Sequence, residues 1–522
     1  MTARFEAVAS LRDPFGVAPF AAVQAAQTGR AVPAAAGGAL LTGDEAGDAS
    51  PGRAREALLA GRALAVTTGQ QPGLFTGPLY TVYKALTAAA LAEALQARWS
   101  RPVVPVFWVA GDDHDFAEIN HCAVIAGDGA VRTIALRERP PDAVMRPAFR
   151  ETVGADVERA LAALEEALPP SDFRSDTLRW LGAAYRPERS MAEAHAAALA
   201  DLLAPFGVVV CRGWDGGLKQ AAGKVLLEAL RSAKALDESL AVEAARIRAA
   251  GGETPVPVGE GLGLVMVEAA GGRDRLRIDG AGFVTRRSGE RFALADVEKL
   301  LAAEPERLSA NVLLRPVVEA QVLPTVAYVG GPAELGYLAQ VGPLFARLGV
   351  PRPVATPRLS GFVVEAKIEK ALERLGLPLA ALERPEGELA TAMFKDALPA
   401  DAAQALAALR GALGERWSAV RAAAVALERT LERPVETARN QALHGVDEIE
   451  KRLVAALKRS NETAVQQLSR ARANLYPDGK PQERILTAAS YLARHGRPLL
   501  GTLHEAARAH VGRLLEAAPG GA

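Results

Sequence analysis

Four short apolar runs, at residues 63–68, 103–110, 207–211 and 322–329, constrain this chain more than any other feature. Each meets glycine or charge at its end: Gly69, Gly111-Asp112-Asp113, Arg212-Gly213 and Gly330-Gly331-Pro332. Helical patterns follow, as from about Gly77 through Leu95. Strands that are apolar throughout are buried on both faces, so the pattern predicts a parallel α/β sheet covered by helices. In such sheets ligands bind at the carboxyl ends of the strands.

The chain has 522 residues, beyond the roughly 250–300 at which one core stops growing, which implies several structural units. Residues 1–60 read as a helical and loop segment, with a Gly/Ala/Asp loop at 37–52. The core is expected in three parts, 61–130, 206–251 and 311–390. A mainly helical insertion at 131–205 separates the first two. A small β-containing insertion at 252–310, with short runs at 263–267 and 276–278, separates the second and third. From 391 to 476 apolar residues recur every three or four positions, through Leu406, Leu409, Leu413, Trp417, Val420, Ala424, Leu427 and Leu431, then from Val446 to Leu475. This spacing predicts an antiparallel coiled-coil hairpin with its reversal at Arg433-Pro434, since proline breaks a helix interior. Its apolar surface predicts a homodimer. Residues 477–522 are expected to be a helical segment packed on the core.

Lys plus Arg number 61 and Asp plus Glu number 61, so no global field would hold the chain on nucleic acid or an anionic membrane. No apolar run approaches the roughly 20 residues of a membrane span. Two cysteines, Cys122 and Cys211, are too few for a disulfide framework and suit a reducing cytoplasm. Arg4, Glu6, Arg12 and Asp13 interrupt the N-terminus where a signal peptide would be continuously apolar.

Three clusters could carry chemistry. In the first, TGQQPGLFTGPLYTVYK at 68–84, Gly69, Gly73 and Gly77 would let backbone approach a ligand. A helix starting near Pro78 would aim N–H groups at an anion. Gln70, Gln71, Thr76, Tyr80 and Lys84 join the candidate contacts. The loop fits neither a Walker A nor a GxGxxG pattern, and a strand-to-helix turn that needs glycine is the structural alternative for its glycines. The second cluster, from Gly111 to Cys122, offers Asp112, Asp113, His114, Asp115, Glu118 and His121 directly after a strand. These could bind an ammonium group or magnesium, or move a proton; capping of a helix is the structural alternative. The spacing of His114, His121 and Cys122 matches no common zinc signature, which disfavours zinc. The third holds Arg315, Glu319, Tyr328, Gly330, Gly331 and Glu334, either ligand contacts or a charged structural network.

These blocks, TGQQPGLFTGPLYTVYK, VFWVAGDDHDFAEINH, RPVVEAQVLPTVAYVGGPAELGYLAQ and the late YPDGKPQER, resemble the bacillithiol biosynthesis cysteine-adding enzyme family. The resemblance covers most of the chain from about residue 60 onward. It implies a Rossmann-type core with two connecting insertions, a coiled coil that dimerises, and a ligase joining cysteine to the glucosamine amine of glucosaminyl malate. That core is similar to class I aminoacyl-tRNA synthetases. Their His-Ile-Gly-His tetrad falls here on Phe75-Thr76-Gly77-Pro78, which keeps only the glycine. The stretch at 356–361, where their lysine-rich signature would fall, has no lysine.

Joining a carboxylate to an amine requires activation, so ATP, with magnesium, is the candidate energy source. On this reading loop 69–77 holds phosphate or carboxylate oxygens, and Asp112 and Asp113 hold the cysteine ammonium or magnesium. Asp113 and His114 are the candidate catalytic pair, His114 taking the amine proton. Glu319 and Glu334 would meet sugar hydroxyls. Two other classes fit the same residues: a nucleotidyltransferase that stops at the adenylate, and a non-catalytic pathway scaffold.

Overall fold

The computed structural model describes residues 3–8, 18–43, 50–259, 261–280 and 282–516. The four apolar runs form strands of one six-stranded sheet. In chain order these strands are β1 (Leu40–Leu41), β2 (Leu64–Gln70), β3 (Val103–Val109), β4 (Val209–Arg212), β5 (Thr325–Gly330) and β6 (Val354–Pro357). Their spatial order is β6-β5-β2-β3-β4-β1. All neighbours are parallel except the short edge strand β1, which runs antiparallel to β4. The register of the central pair, Leu64 opposite Val103 through Gln70 opposite Val109, brings Gln70 and the acidic turn after Val109 to one end.

Side chains alternate between two cores. Leu64, Val66, Phe107 and Val109 face one, while Ala65, Val104, Val106 and Trp108 face the other. That double burial is why the runs are apolar without alternation. On the first side helix Tyr80–Trp99 packs against the sheet and also meets Pro498–Leu515, while helix Gly216–Arg231 belongs to the second side.

The interruption at 131–205 begins earlier than the sequence suggests. A hairpin pairs His121–Ile125 with Val131–Ala135, so residue 131 lies inside it; three helices, Asp156–Ala167, Arg174–Ala184 and Met191–Leu203, follow. The second insertion is a five-stranded antiparallel sheet that includes Leu262–Ala269, Gly272–Asp279 and Leu308–Ala310. Part of the 37–52 loop is ordered: Ala34–Ala39 is a 3-10 turn, β1 follows, and Ser50–Leu59 is helical. Residues 44–49 of that loop lie outside the described residues.

Residues 364–481 form a separate compact unit, whereas 482–516 belong with the sheet. Its two long helices, Ala400–Leu427 and Glu432–Ser460, form the hairpin, tied by Arg410 to Asp447 and Glu450. The reversal lies at 428–431 rather than at Arg433-Pro434. Pro434 occupies the first turn of the second helix, where its missing N–H would have had no intrahelical partner. Leu406, Val446 and Val454 are buried, while Leu409, Val420, Leu427 and Ile449 stand exposed on the chain taken alone. No helix among the described residues is long and apolar enough to cross a membrane.

Candidate active site

A cavity of about 530 Å³ opens at the carboxyl ends of β2, β3 and β5. Gln70, Gln71, Tyr80, Lys84, Asp112, Asp113, His114, Tyr328, Gly331 and Glu334, drawn from all three sequence clusters, line it.

Lys84 reaches back from the first turns of helix Tyr80–Trp99 and is 1% exposed. Its Nζ donates to the Gly69 carbonyl at 2.6 Å and to Gln70 Oε1 at 2.8 Å, and pairs with Glu334 Oε2 at 2.6 Å. Burial lowers the ammonium's pKa despite the nearby carboxylate. Burial alone would raise Glu334, but Lys84, the Gly331 N–H and the Tyr328 hydroxyl outweigh it and hold the carboxyl below its ordinary range. Gln70 also donates to the Tyr80 hydroxyl at 3.1 Å; burial, then Glu334 and Glu118, push that phenol up to about 12.

The opposite wall is acidic. Gln71 Nε2 donates to Asp113 Oδ2 at 2.7 Å and Glu118 Oε2 at 3.0 Å, clamping two carboxylates beside the cavity. Burial of Asp113 opposes ionisation, but Arg273, Gln71 and the Asp115 N–H overcome it and lower the pKa. Asp112 is taken by Lys219 at 2.5 Å. His114 sits 3.4 Å from Arg273, ring Nδ1 to guanidinium; burial and that cation lower its pKa, so the ring is neutral at pH 7. Arg273 can only donate, so Nδ1 holds the lone pair and is the ring atom that can accept a proton. Among the described residues no three His, Cys, Asp or Glu side chains converge as metal ligands.

Other expected contacts lie elsewhere. Gly73, Thr76 and Gly77 do not line the cavity. The Thr76 N–H donates to the Tyr185 hydroxyl, the Gly77 N–H to the Leu74 carbonyl and the Leu79 N–H to the Leu486 carbonyl. These donors are spent inside the protein, so the turn does not have the anion-cradling geometry the sequence suggests. Its glycines answer to packing: a Cβ on Gly73 would stand 2.9 Å from Gly77 Cα, and Gly77 has φ 67°. Asp115 caps the short helix Phe116–Ile119, and Gly330 lies outside the lining. Glu319 is buried behind the wall, paired with Arg315 at 2.6 Å, and burial raises its carboxyl against that pull. Arg315 also donates to the Tyr328 and Tyr337 hydroxyls, so it lines the cavity while tying the network behind it.

The cavity also gathers cations the sequence reading passed over: Lys219, Arg273, Arg275, Arg358 and Arg484. Arg358 is bound by Glu483 through two bonds, 3.0 and 2.6 Å. One signal was available. The alternation Arg273, Arg275, Arg277 in strand Gly272–Asp279 puts the arginines on one face.

The family model for bacillithiol biosynthesis BshC, N-terminal Rossmann-like domain, matches residues 51–359. The model for the BshC C-terminal coiled-coil domain matches residues 361–513. Among curated proteins, those named "Putative cysteine ligase BshC" are similar over most of their length. The Salinibacter ruber protein is 33% identical over 451 residues, covering 85% of this chain and 81% of the relative. The Heliobacterium modesticaldum protein is 34% identical over 460 residues, with 85% and 81% covered. That of Chlorobaculum tepidum is 30% identical over 467 residues, with 86% and 81% covered.

Proposed function

The chain belongs to the bacillithiol biosynthesis BshC family, and from that premise we propose that it is a ligase joining the carboxyl of cysteine to the glucosamine amine of glucosaminyl malate, the step that completes bacillithiol. The observation that carries this reading is one cavity with a clamped pair of carboxylates, Asp113 and Glu118, facing a set of arginines. An amino acid and an acidic acceptor need those opposite charges.

Asp113 and Glu118 receive the cysteine ammonium. Asp112 does not, because Lys219 already neutralises it. His114, held neutral, takes the proton the acceptor amine loses as its nitrogen attacks the activated carboxyl carbon. The carbon–nitrogen bond forms as the activating group leaves with the carboxyl oxygen. ATP, binding as a co-substrate, would supply that leaving group. Its phosphates would not use the N-terminus of helix Tyr80–Trp99, whose nearby donors are spent. Arg484 stands at the cavity beside Tyr80 with no acidic partner among the described residues, and is the cation for them on that side. Among the described residues no group of three His, Cys, Asp or Glu side chains is placed to hold magnesium, and Asp112 is bound to Lys219. The apolar residues exposed on the hairpin support a homodimer through the coiled coil.

Incubating purified protein with cysteine, glucosaminyl malate and ATP, with mass spectrometry of the products, tests the reading. The amide is expected. Exchange of pyrophosphate into ATP without amide would select a nucleotidyltransferase, and binding without turnover under any nucleotide would select a scaffold.

A further inference from the structure

Strand Gly272–Asp279 belongs to the small antiparallel sheet, yet two of its side chains line the cavity of the main sheet. Arg273 and Arg275 are two residues apart, so they leave the same face of the strand with their Cα atoms about 7 Å apart. Arg273 is fixed in place: its Nε donates to Ser309 Oγ at 2.9 Å and its NH2 group to the Ala310 carbonyl at 2.9 Å, with its NH1 group turned to His114. Arg275 is half-buried at the cavity wall, and no carboxylate among the described residues pairs with it; its charged neighbours are Arg273 and Arg286. Asp112 and Asp113 act on Arg273, whereas Arg275 has only cations about it, which is unfavourable unless a ligand supplies the anion. Asn311, which also lines the cavity, spends its Oδ1 on the N–H groups of Leu313 and Leu314.

We propose that Arg273 and Arg275 are the seat of a dicarboxylate group, the acidic end of the amine-bearing substrate, and so decide which acceptor is used. The inference rests on the reading that this cavity holds an acceptor with two carboxylates. Two separate guanidinium groups match two carboxylates a few ångströms apart: Arg275 can offer its whole fork to one, and Arg273 the N–H donors that Ser309, Ala310 and His114 leave unused to the other. Phosphate sites typically draw on helix N-termini, and the donors that open helix Tyr80–Trp99 are spent. Seated there, the acceptor would lie beside His114 and across from the Asp113–Glu118 pair.

The test is calorimetric titration of wild type, Arg275→Ala and Arg275→Lys with free (S)-malate, and separately with inorganic pyrophosphate, with melting temperatures as the check of folding. Wild type is expected to bind malate. Arg275→Ala should weaken that binding at least about tenfold, the scale of one charge-assisted pair. Arg275→Lys should recover only part of it, and pyrophosphate affinity should change little. In turnover, KM for the acceptor should rise while kcat holds. Unchanged malate affinity in Arg275→Ala, loss of pyrophosphate binding alone, or no malate binding by wild type at millimolar concentration would each overturn the seat. If malate binding behaves as expected but wild type makes no amide, the ligase reading fails and the seat stands.

Discussion

Replacing Lys84 by methionine removes one charge from a largely buried ion pair of the cavity and should cost far more than the pair is worth. In the wild type Nζ makes three short contacts, to Glu334, Gly69 and Gln70, all at or below 2.8 Å. Lys84→Met leaves Glu334, whose side chain is 21% exposed, with only the Gly331 N–H and Tyr328 hydroxyl; breaking a fully buried pair costs about 3–5 kcal/mol, and that exposure brings the cost here to about 2–3 kcal/mol. Glu334→Gln strands the ammonium instead and should cost a similar amount. The double variant removes both charges, along with the burial that depresses the lysine, and is expected to lose only about 1–2 kcal/mol. The pH dependence follows from the same groups. Glu334 has a lowered pKa in the folded wild type, so its contribution is full above the ordinary carboxylate value of 4.5 and lost as pH falls through the lowered one. Without Lys84, burial dominates and raises the Glu334 pKa above 4.5. The variant then regains stability as pH falls through that raised value, and its deficit against wild type should be largest near pH 7–8 and shrink toward pH 4.5. Urea denaturation followed by circular dichroism, on all four proteins across pH, measures this. A Lys84→Met loss below about 1 kcal/mol, a double variant as unstable as the sum of the singles, or a deficit that ignores pH would refute the reasoning.

Three further outcomes follow from the geometry. Gln71→Leu removes the donor shared by Asp113 and Glu118 and should lower kcat/KM for cysteine by about tenfold to a hundredfold, the range of hydrogen bonds to charged groups, with the melting temperature little changed. If His114 is the base, kcat/KM should fall on the acid side through a pKa below 6.5, because burial and Arg273 favour the neutral ring. Arg273→Met should move that limb to higher pH, and a pH-rate profile with an unmoved limb would count against His114. Replacing both exposed hairpin leucines, Leu409 and Leu427, by glutamate should yield a monomer; light scattering already reading 54.7 kDa for wild type would show there is no dimer to break.

The sheet was legible because strands buried on both faces are mainly apolar, small side chains such as Thr67, Thr68 and Thr325 being the polar exceptions: β2, β3, β4 and β5 are the four apolar runs, offset by a residue or two. Short edge strands such as Leu40–Leu41 and Val354–Pro357 have no such signature, and neither was anticipated as part of the sheet. Local spacing brought Gln70, Gln71, Lys84, Asp112, Asp113 and His114 into view because they follow strands directly. It misled at Gly73 and Gly77, where glycine serves the chain's approach to itself, and at Pro434, which the first turn of a helix tolerates. Arg273 and Arg275 escaped notice for another reason, although their alternation is plain in the sequence. An arginine-rich alternating strand reads as a solvent-facing edge until the fold shows a cavity opposite it. The pairings of Asp112 with Lys219 and of Arg358 with Glu483 span more than a hundred residues, and spacing carries no information about them.

The most direct test of the account is the rate of amide formation by Asp113→Asn relative to wild type, with cysteine, glucosaminyl malate and ATP and product mass as the readout. Asparagine keeps the shape and can accept with its one oxygen from Gln71 or from the His114 and Asp115 N–H groups, while removing the charge that receives the cysteine ammonium. The account predicts product of the ligated mass from wild type, and at least a hundredfold slower formation from a variant whose circular dichroism and melting temperature match it. Equal rates from the two proteins would contradict the placement of chemistry in this cavity.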